Sequence, residues 1–256
     1  MKRIFLILIV FFGFFMPVIA QDIGTGEVDI LSVRQKEWDV YGTLHTNGLG
    51  IGMRIGKQHT IRKKSGIDLE WTYYRLLKEQ RGKTSLTLEG VDNKSFVYGK
   101  LNNFAQIRVG YGFTYIINTK PYWGGITTGF FLYGGASVGV SVPVFLYVLY
   151  YYPQDSTIQM NIEKYDPDKH SLSNIYGRAP FKEGLSKIKF HPGLYLKTGL
   201  TFDFSSDDAK VMALDLGLAL DAYYIPVQKM AFYNKQYVLV TGFLTFHFGK
   251  RLTNYE

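Results

Sequence analysis

The chain has 256 residues, enough for one domain with a full core or for one barrel. It contains no Cys, so a disulfide framework is excluded, as is a lipid anchor attached to a cysteine. The net charge of +8 is compatible with nucleic acid, but the export leader described next points instead to anionic headgroups, an acidic partner or a solvated basic surface.

The chain opens MKRIFLILIVFFGFFMPVIAQ. Lys2 and Arg3 form a positive start, residues 4–19 an apolar run, and Val18 and Ala20 occupy the small-residue positions before a cleavage point. The run is short for a membrane-spanning helix. Residues 1–20 therefore read as a cleaved signal peptide, with the mature chain starting at Gln21. Residues 21–36 are polar and read as a periplasmic leader.

From residue 37 onward the pattern has a period of two. Segment 37–46 alternates Trp38, Val40 and Leu44 with Glu37, Asp39, Tyr41, Thr43 and His45. The dipeptide Asn47-Gly48 follows, a signal for a tight hairpin turn. Segment 48–57 sets Leu49, Ile51, Met53 and Ile55 against three glycines and Arg54. Segment 66–79 sets Ile67, Leu69, Trp71 and Tyr73 against Asp68, Glu70, Thr72 and Tyr74. Segment 104–115 opposes Ile107, Val109, Tyr111 and Phe113 to Phe104, Gln106, Arg108 and Thr114. Segment 126–142 opposes Phe130, Leu132, Val138 and Val140 to Phe131, Tyr133, Ser137 and several glycines.

The last three segments are the clearest. In 193–204, Leu194, Leu196 and Leu200 alternate with Tyr195, Lys197 and Asp203. In 211–224, every large aliphatic side chain sits at an even position, and Asp215 and Asp221 share the odd face with Gly217 and Ala219. In 237–249, Val238, Val240, Leu244, Phe246 and Phe248 oppose Phe243, Thr245 and His247. Eight such segments predict an all-β fold, a transmembrane antiparallel up-and-down barrel of eight strands spanning 37–250. Ten strands result if 94–100 or 143–152 pairs separately. A lipocalin-like soluble barrel would reverse the faces, with the apolar set inside.

On the membrane reading the polar face points inward. Arg54, Glu70, Arg108, Lys197, Asp203, Asp215, Asp221 and His247 then form an interior network whose opposite charges can pair. The accompanying Tyr41, Tyr74, Phe104, Phe131, Tyr133, Tyr195 and Phe243 are too bulky for a wide channel. The links near 57–65, 116–125 and 205–209 are short; those near 80–102, 143–190 and 225–236 are longer, 143–190 by far the longest. Short turns on the periplasmic side and long extracellular loops are the layout of an outer-membrane barrel, with 251–256 as a tail.

The run YVLVTGFLTFHFGK, the alternating strands and the leader resemble small Gram-negative outer-membrane β-barrels of the OmpA/OmpX-like or porin-family kind. The stretches YGTLHTNGLGIG, VYGKLNNFAQIRVGYG and NIYGRAPFKEG also resemble an uncharacterised envelope-barrel family. The resemblance implies a multi-pass barrel in the cell outer membrane, touching its lipid and lipopolysaccharide.

Chemistry-bearing motifs are few. His45, His59, His170, His191 and His247 are scattered with no metal-ligand spacing, so neither a metal nor a cofactor is expected. Asp166 and Asp168 in YDPDKH read as a solvated turn around Pro167. His45 and Thr46 would face opposite sides of a strand, which argues against a nucleophile–base pair and hence against an enzyme. Two stretches suggest contacts. Val144, Phe145, Leu146, Tyr147 and Tyr150 in PVFLYVLYYY offer an apolar patch for a partner or lipid, and Lys57, Arg62, Lys63 and Lys64 form a basic periplasmic turn. The expected role is a non-enzymatic structural or accessory subunit of an envelope complex, of the outer-membrane assembly or secretion type, with other envelope proteins as partners. A narrow porin-like channel and a lipid-modifying enzyme are the alternatives.

Overall fold

The computed structural model describes residues 36–75, 79, 81–84, 94–119, 125–152, 157–205, 209–231 and 233–252. The leader reading for 1–20, nearly all of the polar segment 21–36 and residues 253–256 of the tail lie outside the described residues. The strands are β1 (Lys36–His45), β2 (Gly48–Thr60), β3 (Lys63–Tyr74), β4 (Arg81–Gly82), β5 (Phe96–Val97), β6 (Asn102–Asn118) and β7 (Thr127–Pro143). They continue with β8 (Phe145–Tyr152), β9 (Thr157–Lys164), β10 (Ile175–Arg178), the one-turn helix α1 (Lys182–Leu185), β11 (Lys189–Asp203), β12 (Lys210–Val227) and β13 (Gln236–Leu252). None of the helices among the described residues is long and apolar enough to cross a membrane.

Eight strands close into a ring in the order β1-β13-β12-β11-β7-β6-β3-β2, all neighbours antiparallel. The first and last strands seal it through a continuous register from Lys36 opposite Leu252 to His45 opposite Phe243. Closure leaves the ring no edge strand, so the ladder groups find partners within the wall, as hydrocarbon requires. The ten-strand alternative does not hold. β8 pairs with β9 and β10 in a separate three-stranded sheet, and β5 pairs only with β4.

Every strand phase read from the alternation is reproduced. On β12 the even positions look outward, with Leu216 and Leu218 54% and 58% exposed, whereas Asp215, Ala219 and Asp221 are fully buried. Leu49, Ile51, Ile107, Val109, Leu194 and Val240 extend this apolar belt around the wall. Exposed aromatics rim it: Trp38, Tyr115, Phe204 and Phe248 toward the end with the termini of the ring, Tyr73, Phe190, Tyr224 and Tyr237 toward the other. The soluble alternative fails because the greasy face is the outer one.

The tight turn between β1 and β2 falls one residue earlier than the Asn-Gly signal suggests. His45 pairs with Gly48, so Thr46 and Asn47 form the loop and Gly48 begins β2. The glycine serves close approach here, since a Cβ on Gly48 would collide with the Tyr73 carbonyl oxygen. The strands also reach further than the alternation indicates. β2 runs to Thr60 and β13 to Leu252, taking two residues from the expected tail.

A cation in the belt has nowhere to discharge its hydration cost. Leu218→Arg is expected to lower the unfolding free energy in phospholipid vesicles by about 2–4 kcal/mol. Urea titration followed by heat-modifiable gel migration measures it, and an unchanged midpoint would show that this face does not meet lipid.

Candidate functional site

Inward side chains gather into two ionic clusters stacked along the barrel. Toward the ring's termini, Arg54 Nε is 3.2 Å from Asp68 Oδ1 and its Nη1 is 3.2 Å from Asp215 Oδ2. His247 lies between two carboxylates, with Nδ1 2.6 Å from Asp39 and Nε2 2.9 Å from Asp215. The Tyr41 hydroxyl donates to Asp68 at 3.0 Å. Asp215 thus points across the lumen, at a cation carried by β2.

The second cluster is centred on Glu70. Its carboxylate meets His45 Nε2 at 2.7 Å, Arg108 Nη1 at 2.9 Å and Lys197 Nζ at 2.7 Å. Arg108 turns its other edge to Asp221, with Nη2 to Oδ2 at 2.6 Å and Nε to Oδ1 at 3.0 Å, a two-pronged pair. Glu70, Arg108, Lys197 and Asp221 are all fully buried. Charges removed from water this completely survive because each carboxylate finds a cation in reach.

An aromatic layer lies between the clusters. Tyr41, Phe131, Tyr133, Tyr195 and Phe243 are all buried. Tyr41 shows the arrangement: the Arg54 guanidinium carbon is 5.8 Å from its ring centre and Lys197 Nζ is 5.0 Å from it. A small residue makes room for that ring, because a Cβ on Gly52 would overlap the Tyr41 phenol. Above the Glu70 cluster, Tyr74, Phe104, Tyr223, Val227 and Leu239 form a second apolar plug. Lys229, just beyond β12, places Nζ 4.5 Å from the Tyr74 ring centre and 5.1 Å from that of Phe104. Burial there lowers its ammonium to about 8.

At the short-link mouth a cavity of about 50 Å³ is lined by Glu37, Asp39, Arg54, Asp215, His247 and Arg251 among others. That is room for a few waters. Asp203 belongs to this mouth rather than to either inner cluster. It accepts from Ser205 at 2.6 Å and pairs with Arg251. Of the basic turn, Lys57, Arg62 and Lys63 are exposed, while Lys64 is half-buried and pairs with Glu37 at 2.8 Å.

Asp39, His45, Asp68 and Gln106 also lie inside, beyond the interior network expected from the sequence. Gln106 hydrogen-bonds Tyr74 at 2.9 Å and also meets the Tyr223 hydroxyl. Counting every polar residue at the inward phase would have found all four. His45 and Thr46 stand on opposite sides of the wall. The ring faces Glu70 inside, and the Thr46 hydroxyl donates to the Gly242 carbonyl at 3.1 Å outside. They form no nucleophile–base pair. Asp166 is engaged in its own turn, accepting from Asp168 N–H at 3.1 Å, and the described residues contain no cluster of His, Cys, Asp and Glu able to hold a metal ion.

The apolar run at 143–152 is not one patch. Val144 and Leu146 are buried in a small core with Phe96, Val148, Tyr165 and Ile175, while Phe145, Tyr147 and Tyr150 are only half-buried. Alternation along β8 divides the run between two faces of the three-stranded sheet. Its outer face carries Tyr151, Ile158 and Ile162, 64%, 59% and 44% exposed. The contact surface expected for the whole run is therefore reduced to one face, and Val144 and Leu146 hold the loops together.

A sealed ring with an apolar outside and a paired ionic inside meets the requirement of hydrocarbon on both counts. The chain is a closed antiparallel β-barrel of the transmembrane type. No protein-family model matches this barrel, and no curated protein matches it. Among solved structures it is similar to Ail, the attachment invasion locus protein of Yersinia pestis, in complex with the heparin analogue sucrose octasulfate. The identity is 10% over 86% of this chain and 99% of that one, with a TM-score of 0.39. It is also similar to Neisserial surface protein A, at 10% identity over 87% and 97% of the two chains and a TM-score of 0.36. The hydrogen-bonded ring and its two faces by themselves define the barrel.

Removing one member of the Glu70 cluster strands the others in a dry interior. Arg108→Met is expected to cost about 3–5 kcal/mol of unfolding free energy, and Arg108→Met with Asp221→Leu to recover part of that loss. Urea unfolding in vesicles reads both, and a single variant within about 1 kcal/mol of the parent would show that the pair is not buried as described.

Proposed function

We propose that this barrel is an integral outer-membrane protein with no enzymatic role, acting as a structural or accessory subunit of an envelope complex. Assembly or secretion machines are the class of complex it fits. The observation that carries the reading is the filled lumen. Two ionic clusters, an aromatic layer and an upper apolar plug occupy the interior, so any recognition falls to the outside of the barrel and to its loops. The long connections all emerge at one end, where the three-stranded sheet presents Tyr151, Ile158 and Ile162. An exposed apolar face of this kind is the signature of a partner site.

In this reading residues 1–20 direct export and are removed, 21–36 stay in the periplasm, and the 143–190 connection is extracellular. The belt meets membrane lipid, and the rim of the wall meets lipopolysaccharide. The exposed Lys57, Arg62 and Lys63 offer a second, acidic-partner contact on the periplasmic side. A narrow channel is the reading the packed interior disfavours.

Tagged protein extracted in mild detergent is expected to bring down other envelope proteins in fixed ratio. Tyr147→Ser with Tyr151→Ser should release them while leaving heat-modifiable migration unchanged. Recovery of the chain with no other envelope protein counts against the subunit role. Planar-bilayer recordings are expected to be silent, and a steady unit conductance would favour the channel instead. Mass spectrometry of the purified chain should find Gln21 at its amino terminus.

A further inference from the structure

The three-stranded sheet has the order β10-β8-β9, which makes β9 an outer strand. Its backbone polarity can be worked out from the ladder. The Tyr165 N–H donates to the Val144 carbonyl at 3.1 Å, extending the register that pairs Phe145 with Lys164. On the other side of β8, Leu149 N–H donates to Asn174 and the Phe145 carbonyl accepts from Ala179. Odd residues of β8 thus turn their backbone groups to β10 and its flanks, and even ones to β9. Bonded and non-bonded pairs alternate in an antiparallel ladder. It follows that Gln159, Asn161 and Glu163 bond to β8, whereas Ile158, Met160, Ile162 and, at the end of the strand, Lys164 direct N–H and C=O to the open side. Among the described residues no strand pairs with that side.

An open edge is normally blunted by charge, proline or a bulge. The stretch TIQMNI at 157–162 has neither a charge nor a proline, and its register with β8 is unbroken. It is also nearly palindromic in character about Met160: Gln159 and Asn161 flank it, then Ile158 and Ile162. A two-fold interface demands this kind of self-matching, since each residue must meet its counterpart's mirror position. With Met160 opposite the partner's Met160, Ile158 falls opposite the partner's Ile162 and Gln159 opposite the partner's Asn161. The residues brought face to face in the bonded positions, Ile158, Met160 and Ile162, are three of the four that turn their backbone groups to the open side.

We infer that the chain forms a homodimer through antiparallel pairing of β9 with β9 of a second copy, joining the two loop sheets into one across the membrane surface. Ile158, Met160 and Ile162 would zip along one face, continuous with Tyr147 and Tyr151 of β8. On the opposite face the Gln159 and Asn161 amides can donate to and accept from each other. Glu163, the one acid of the strand, lands opposite Thr157, so no like charges meet. The pairing depends on the sheet's own geometry and stands whether or not another envelope protein is captured.

The chain has no cysteine, so one introduced thiol reports on itself. Bonded antiparallel pairs hold their Cα atoms about 5.5 Å apart, within disulfide reach. Full-length barrel carrying Met160→Cys, reconstituted alone in phospholipid vesicles and mildly oxidised, is expected to form a covalent dimer. Its rate should exceed that of Lys235→Cys, an exposed position on the β12–β13 connection, by about tenfold or more. Adding Ile162→Lys should return the rate to the control's while heat-modifiable migration is kept. Equal rates for Met160→Cys and Lys235→Cys would overturn the dimer, as would a rate indifferent to Ile162→Lys. The vesicles contain no other protein, so this result is separate from the pull-down described above.

Discussion

Everything in this molecule follows from the rule that hydrocarbon offers no hydrogen bonds. A sheet in that solvent must have no edge, and the register between β1 and β13 removes the last one. Closure then dictates the side chains. What points out must be apolar, and it is, from Leu49 on β2 to Val240 on β13. What points in is shut away from both lipid and bulk water, and must satisfy itself.

The interior solves that second problem with charge rather than with an apolar core. Eight strands leave a bore that side chains can fill, and here they fill it in alternating layers. Arg54 and Lys197 each have a carboxylate partner and an aromatic face in reach. The same layering packs the bore, so the groups that stabilise the barrel are also the ones that fill its interior.

How much of this could be read from the sequence depended on the range of the interaction. Alternation is local, so the phase of each wall strand and the inward direction of Asp215 and Asp221 were legible. Cross-strand neighbours were nearly so: Arg54 and Asp68 lie directly opposite on β2 and β3. Lys197 and Glu70 were not, because β11 and β3 meet only across a closed lumen. Asp203 had the correct parity but lies beside Arg251 at the mouth, a distinction of height that parity does not encode. The loop sheet was hidden for another reason. On β7 the odd residues, such as Phe131 and Ser137, are buried, whereas on β8 the even ones, Leu146 and Val148, are. The phase switches at Pro143 and Val144, so one uninterrupted apolar run belongs to two different sheets.

The distribution of charge between β1 and β13 bears on how the polypeptide reaches its finished state. Glu37 and Asp39 sit on the first strand made, and Arg251 and His247, which answer them, sit on the last. Lys64 of β3 already neutralises Glu37, so the final hairpin adds a second cation for Glu37 and an imidazole for Asp39. The seam between β1 and β13 is thus matched by side chain as well as by backbone, and a sheet lacking β13 would leave the Asp39 carboxylate without its imidazole.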